Sequence, residues 1–167
     1  QTNDGTCPPE NMMQTCDAFC SVSIADLTGS TITSSQPLAV FVGHQCTFIP
    51  YYEWACDHLE EMMFPLETWG DAMVMTAPRH PDPDQSGVVP TLYRVLAQSS
   101  GTQVSFDPAV HDPVTLNNGQ FVEFETDQDF QISATKQIHV SQFLLGQYAL
   151  ESEAGDPAMG SGIPLFQ

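Results

Sequence analysis

Two short motifs hold most of the residues that could do chemistry. His44-Gln45-Cys46 and Cys56-Asp57-His58 form an HxC…CxH arrangement. Two thiolates and two imidazoles suffice for tetrahedral zinc, and alternate residues of a strand point to one side, so each pair could chelate. The same cysteines could instead form a Cys46–Cys56 disulfide, closing a loop of roughly ten residues and adding about 2–3 kcal/mol. The disulfide is the expectation adopted. The spacing fits no standard zinc module, and the remaining cysteines, Cys7, Cys16 and Cys20, lie with these two in the first third of the chain. Clustered cysteines in an acidic, loop-rich sequence indicate an oxidising compartment. A second bridge is expected among Cys7, Cys16 and Cys20; with five cysteines in all, one thiol is free or its partner lies outside this chain.

A second candidate is a calcium loop. Asp82-Pro83-Asp84-Gln85-Ser86-Gly87 matches the opening D-x-D-x-S-G of such a loop, and aspartates at the first and third positions place hard oxygens around one point. The twelfth position is Tyr93 where a bidentate Glu is needed, and Pro83 stiffens the segment. Asp82, Asp84 and Ser86 are therefore kept as a candidate calcium set, with a solvated acidic loop as the plainer reading. No other cofactor is expected. Nothing couples a nucleophile to a base: there is no Gly-x-Ser-x-Gly elbow and no Gly-rich phosphate loop. The acidic pairs Glu60-Glu61 and Asp127/Asp129 are unremarkable in so acidic a chain. No enzyme is expected.

The third candidate is a recognition surface. Phe48, Tyr51, Tyr52 and Trp54 crowd the segment between Cys46 and Cys56. Amphipathic rings stack on sugars or fill protein pockets; the competing reading is that they pack over the disulfide loop. Trp69 and Phe41 are expected in the core.

Composition limits the partners. Of 167 residues, 21 are Asp or Glu and 3 are Lys or Arg, a formal charge of −18. That field repels nucleic acid and anionic membrane, leaving cations, basic proteins and neutral glycans; it also keeps a secreted domain soluble. No apolar run approaches the roughly 18 residues of a membrane span, so no membrane insertion is expected. The chain opens on Gln1, which suggests a mature or excised fragment.

The elements that must position these residues read as short strands. Residues 1–25 form a Cys- and Pro-rich arm ending in a first strand at 21–25. Further strand signals fall at 30–33, 38–42, 72–76, 92–97, 102–106, 114–116, 121–125, 130–133 and 138–145. Asn117-Asn118-Gly119 marks a hairpin, because Asn and Gly tolerate positive φ. Residues 57–64 fit either a helix with Leu59, Met62 and Met63 on one face or an extended segment. Residues 32–40 and 132–140 echo one another as strand, polar turn, strand. Short strands with turns at this spacing predict an all-β antiparallel sandwich of jelly-roll type with disulfide-stapled loops, formed by residues 26–167.

Longer blocks resemble the N-terminal domain of IgGFc-binding proteins. They include Asp26-Leu27-Thr28-Gly29-Ser30-Thr31-Ile32, Gln36-Pro37-Leu38-Ala39-Val40-Phe41-Val42-Gly43 and, most specifically, Cys56-Asp57-His58-Leu59-Glu60-Glu61 with Pro65-Leu66-Glu67-Thr68-Trp69-Gly70. Tyr93-Arg94-Val95-Leu96-Ala97, Gly119-Gln120-Phe121-Val122-Glu123-Phe124 and Gly155-Asp156-Pro157-Ala158-Met159 follow in order. Ala158 replaces the His of the self-cleaving Gly-Asp-Pro-His motif of mucin-type domains, so cleavage is not expected. The resemblance implies a partial, non-enzymatic domain, secreted or on a cell surface, of a kind also found in bacterial surface proteins. It implies binding or adhesion to a protein or glycan, and transfers no set of ligand residues. Self-association into a filament or surface layer, and calcium-dependent adhesion, remain as alternatives.

Overall fold

The computed structural model describes residues 26–50, 56–79, 88–146 and, as backbone, 165–166. The described residues form nine strands: β1 (Phe41–Phe48), β2 (Cys56–Met62), β3 (Gly70–Met75), β4 (Thr91–Ala97), β5 (Thr102–Asp107), β6 (Val114–Leu116), β7 (Phe121–Thr126), β8 (Phe130–Leu144) and β9 (Leu165–Phe166). One 3-10 turn, Leu66–Thr68, precedes β3. All pairings are antiparallel. β1 and β2 form a separate two-stranded ribbon, and the other seven strands form one sheet.

The 15-residue β8 is the axis of that sheet. Its first half pairs with β5 and β3, its second half with β4 and β9. β4 takes Ile138–Leu144 and β5 takes Gln131–Ala134, so these two strands follow each other along β8 in the same direction. β6 and β7 follow each other in the same way along β5 and β4.

Period-two alternation fills the core from one face. In β5, Thr102, Val104 and Phe106 are buried between exposed neighbours. Val104 and Phe106 join Met75, Tyr93, Val95, Ala97, Leu116, Phe124, Phe130, Ile132, Ile138 and Val140 in one apolar cluster. Its centre is aromatic. The Tyr93 and Phe130 rings meet edge-on at 4.9 Å and those of Phe106 and Phe124 at 5.1 Å, the geometry that ring quadrupoles favour. Burying a phenol requires partners for its oxygen. Tyr93 Oη accepts from Gln142 Nε2 at 2.9 Å, and the same amide donates to the Thr76 carbonyl at 3.0 Å.

Several sequence expectations change. Of the two readings of residues 57–64, the extended one holds for residues 57–62, because β2 pairs with β1. Residues 30–33 form no strand, and Leu38 and Phe41 are exposed. Phe41 is therefore not a core residue: it lies on the ribbon, outside the sheet that holds the core. Residues 132–140 are one uninterrupted strand, so the echo with 32–40 does not reflect two hairpins. The Asn117–Gly119 turn exists, with Gly119 at φ 72° and Gln120 N–H donating to the Asn117 carbonyl at 2.9 Å. It joins β6 to β7, which do not pair, so it is not a hairpin turn. The strand expected at 21–25 and the arm before it lie outside the described residues.

Candidate functional site

The ribbon carries the best-placed recognition candidates. Its register runs from Phe41 opposite Met62, through His44 opposite Leu59, to Phe48 opposite Cys56. Between His44 and Thr47 the register shifts by one residue, so Gln45 and Cys46 together oppose His58. Such a bulge bends the strand and re-aims its side chains.

The aromatic loop springs from the end of this ribbon. Phe48 is 40% exposed. Immediately beyond it Pro50 is buried, and the Ile49 carbonyl accepts a 2.7 Å hydrogen bond from Gly146 N–H, just past β8. The root of the loop is thus tied to the main sheet while Phe48 faces solvent. Tyr51, Tyr52 and Trp54 lie outside the described residues.

The two histidines of the HxC…CxH motif lie on opposite faces of the ribbon. Directly opposed residues share a face, so His44 lies on the Leu59 side and His58, the neighbour of Leu59, on the other. His44 Nδ1 accepts a 3.1 Å hydrogen bond from Cys46 N–H, and His58 Nε2 lies 3.4 Å from Glu60 Oε2. Among the described residues, no three His, Cys, Asp or Glu side chains are grouped to hold a metal.

Asp82, Asp84 and Ser86, and the cysteines Cys7, Cys16 and Cys20, are also outside the described residues. The feet of the acidic loop are visible. Arg79 and Val88 form an antiparallel bridge, and Val89 N–H donates to the Pro78 carbonyl at 2.9 Å.

Sequence reasoning missed a charged node on the outer face of β4. Arg94, whose side chain is 19% exposed, pairs with Asp26 Oδ2 at 2.9 Å and Glu123 Oε1 at 2.6 Å. Its guanidinium lies 4.4 Å from the centre of the Phe121 ring, a cation–π distance. Asp26 also accepts from Thr28 N–H at 2.8 Å. The node fastens residues 26–28 to β4 and β7. Its sequence signal was the scarcity of cations, which makes a lone Arg inside a strand conspicuous.

Trp69 is half-buried against His139, with ring centres 5.2 Å apart. Burial holds the His139 pKa down at about 4. Among the described residues, no helix is long and apolar enough to cross a membrane.

Known proteins place the chain in a family. The IgGFc binding protein family matches residues 9–167. An IgGFc-binding protein of Homo sapiens is 28% identical over 142 residues, covering 78% of this chain. The chain spans about 2% of that protein's length. No solved structure matches. With the family match extending over nearly its whole length, the chain belongs to the IgGFc-binding protein family.

Proposed function

We propose that this chain is a non-enzymatic extracellular domain that binds a protein partner through the tip of the β1–β2 ribbon. Phe48, Tyr51, Tyr52 and Trp54 are its contact residues. One observation carries the reading: the ribbon is a sheet of its own, separate in hydrogen bonding from the seven-stranded sheet that houses the core, and at its end Ile49 is tied to Gly146 with Phe48 exposed. Phe48, a ring that the core does not bury, is available to a partner. The family supports a protein-binding role, and the human relative's name specifies the Fc part of IgG.

A jelly-roll-like sandwich and a Cys46–Cys56 bridge belong to the same proposal. The register supports the bridge, because Cys56 opposes Phe48 and Cys46 is two residues before Phe48. Closing the loop would lower the entropy lost on binding.

Immobilised IgG Fc and a glycan array, each presented to the full chain, test the function. The expected result is protein binding that Trp54→Ala and Tyr52→Ala each weaken by tenfold or more at unchanged melting temperature. Binding that survives both substitutions, or a glycan-only response, overturns it.

A further inference from the structure

The ribbon has a face as well as a tip, and its pattern specifies a chemistry. Along β2, Met62, Glu60 and His58 occupy one face, opposite Phe41, Gly43 and the bulge in turn, and Phe48 of β1 extends that face towards the loop end. Phe41 is 63% and Met62 42% exposed. Glu60 and His58 side chains are each 65% exposed and meet at 3.4 Å, and Gly43 across the ribbon presents no side chain over the Glu60 carboxylate. The face therefore reads apolar, acidic, apolar over about 20 Å, the length of six or seven extended residues.

We propose that this face takes a cationic, extended protein segment from outside this chain, with apolar side chains over Phe41–Met62 and over Phe48 and a Lys or Arg between them at Glu60. The proposal rests on the ribbon being the binding element and adds the chemistry of its partner.

Charge decides the occupant. β1 and β2 contain Asp57, Glu60 and Glu61 and no Lys or Arg. The chain's three cations are Arg79, Arg94 and Lys136. Arg94 is committed to Asp26 and Glu123, and Lys136 Nζ donates to the Ser100 carbonyl at 2.5 Å. Residues 1–25, 51–55, 80–87 and 147–164 contain no Lys or Arg, so none of these segments can complement the face. A second copy offers an exposed Arg79 at the foot of the acidic segment 80–87, and a formal charge of −18 against −18. A basic segment from outside this chain satisfies both the carboxylate and the exposed rings, and the surrounding acidity speeds its approach.

A random twelve-residue peptide library displayed on phage, panned against the full chain, tests this. Enriched peptides are then synthesised and titrated. The expected peptides carry net positive charge with apolar residues flanking an Arg or Lys. Phe41→Ser and Glu60→Lys should each weaken them tenfold or more, whereas Asp71→Lys on the exposed part of β3, an equal charge change, should alter affinity less than threefold. Affinity should also fall as salt rises from 50 to 300 mM. Neutral or acidic consensus peptides, or equal losses from Glu60→Lys and Asp71→Lys, overturn the proposal. If Phe41→Ser and Glu60→Lys leave peptide binding intact while Trp54→Ala abolishes Fc binding, this inference fails and the tip reading stands. Far-ultraviolet circular dichroism of each variant separates lost binding from lost folding.

Discussion

Gly29 and Gly119 lie back to back, two turns pressed together where neither has room for a side chain. A Cβ on Gly29 would fall 2.3 Å from the Gly119 carbonyl oxygen, and one on Gly119 would fall 3.3 Å from the Gly29 carbonyl oxygen. Both have positive φ, 85° and 72°. Gly101 shares the φ of 72° but would meet only the Lys136 amine, at 3.8 Å. Gly29→Ala should cost about 2–4 kcal/mol, combining backbone strain with a clash. Gly119→Ala should cost less, and Gly101→Ala about 1 kcal/mol from strain alone. Urea unfolding of the three variants checks the order; an equal cost at all three sites would show that the contact between the turns does not matter.

Asp26 should give the fold an acid-sensitive fastening. Its burial raises the carboxyl pKa, but hydrogen bonds from Thr28 together with Arg94 outweigh that and hold it below the ordinary 3.8. A depressed carboxylate contributes stability that is present above its unfolded pKa, near 4, and lost as pH falls through the folded value. Asp26→Asn should cost about 1 kcal/mol at neutral pH, because the half-exposed pair is screened. The difference between variant and parent should shrink below pH 4. A difference that stays constant from pH 7 to pH 3 would show that the charge contributes nothing.

His139 works in a different window. Desolvation beside Trp69 lowers its pKa from 6.5 to about 4, because burial penalises the imidazolium. Its neutral form is favoured in the fold, so the associated stability is present above pH 6.5 and declines as pH falls towards 4. In an NMR titration its ring should shift near pH 4, and His139→Phe should flatten the stability profile between pH 6.5 and 4. A midpoint near 6.5 would mean that water reaches the ring.

What the sequence made legible follows from how far each signal reaches. Val114–Leu116 and the stretches around Leu92, Val104 and Phe121 were readable because alternation reports directly which side of a strand is wet. The Asn117–Gly119 turn was readable because positive φ is local. Its role was not, because which strands then pair is set across the sheet: Leu116 is opposite Thr102 and Phe121 opposite Leu96. Polar residues 135–137 suggested a break in β8, yet they lie beside the 98–101 connection between β4 and β5, where a strand needs no apolar contacts. Leu38 and Phe41 suggested a core because apolar runs usually are one. The family resemblance was legible from Cys56–Glu61 and Pro65–Gly70; Phe48 was visible as a candidate recognition ring by its residue type, but its exposure was not. The acid–apolar face of the ribbon was missed because His58, Glu60 and Met62 alternate only once β2 is recognised as a strand.

The last prediction concerns Cys46 and Cys56. The bulge opposite His58 and the pairing of Phe48 with Cys56 place both cysteine positions near the loop end of the ribbon. If they are bridged, either Cys46→Ala or Cys56→Ala removes the same cross-link, so each single variant should lose about 2–3 kcal/mol and the double variant no more. Independent cysteines that merely pack would instead give additive losses. Mass mapping of the unreduced protein should recover one peptide pair joined through these two residues. Loss of the bridge should also weaken partner binding at the loop more than it lowers stability of the main sheet, because the ribbon alone gains unfolded freedom. Stoichiometric zinc released on adding a chelator, with additive losses in the variants, would establish the metal site instead, and would require His44 and His58 to leave the opposite faces they now occupy.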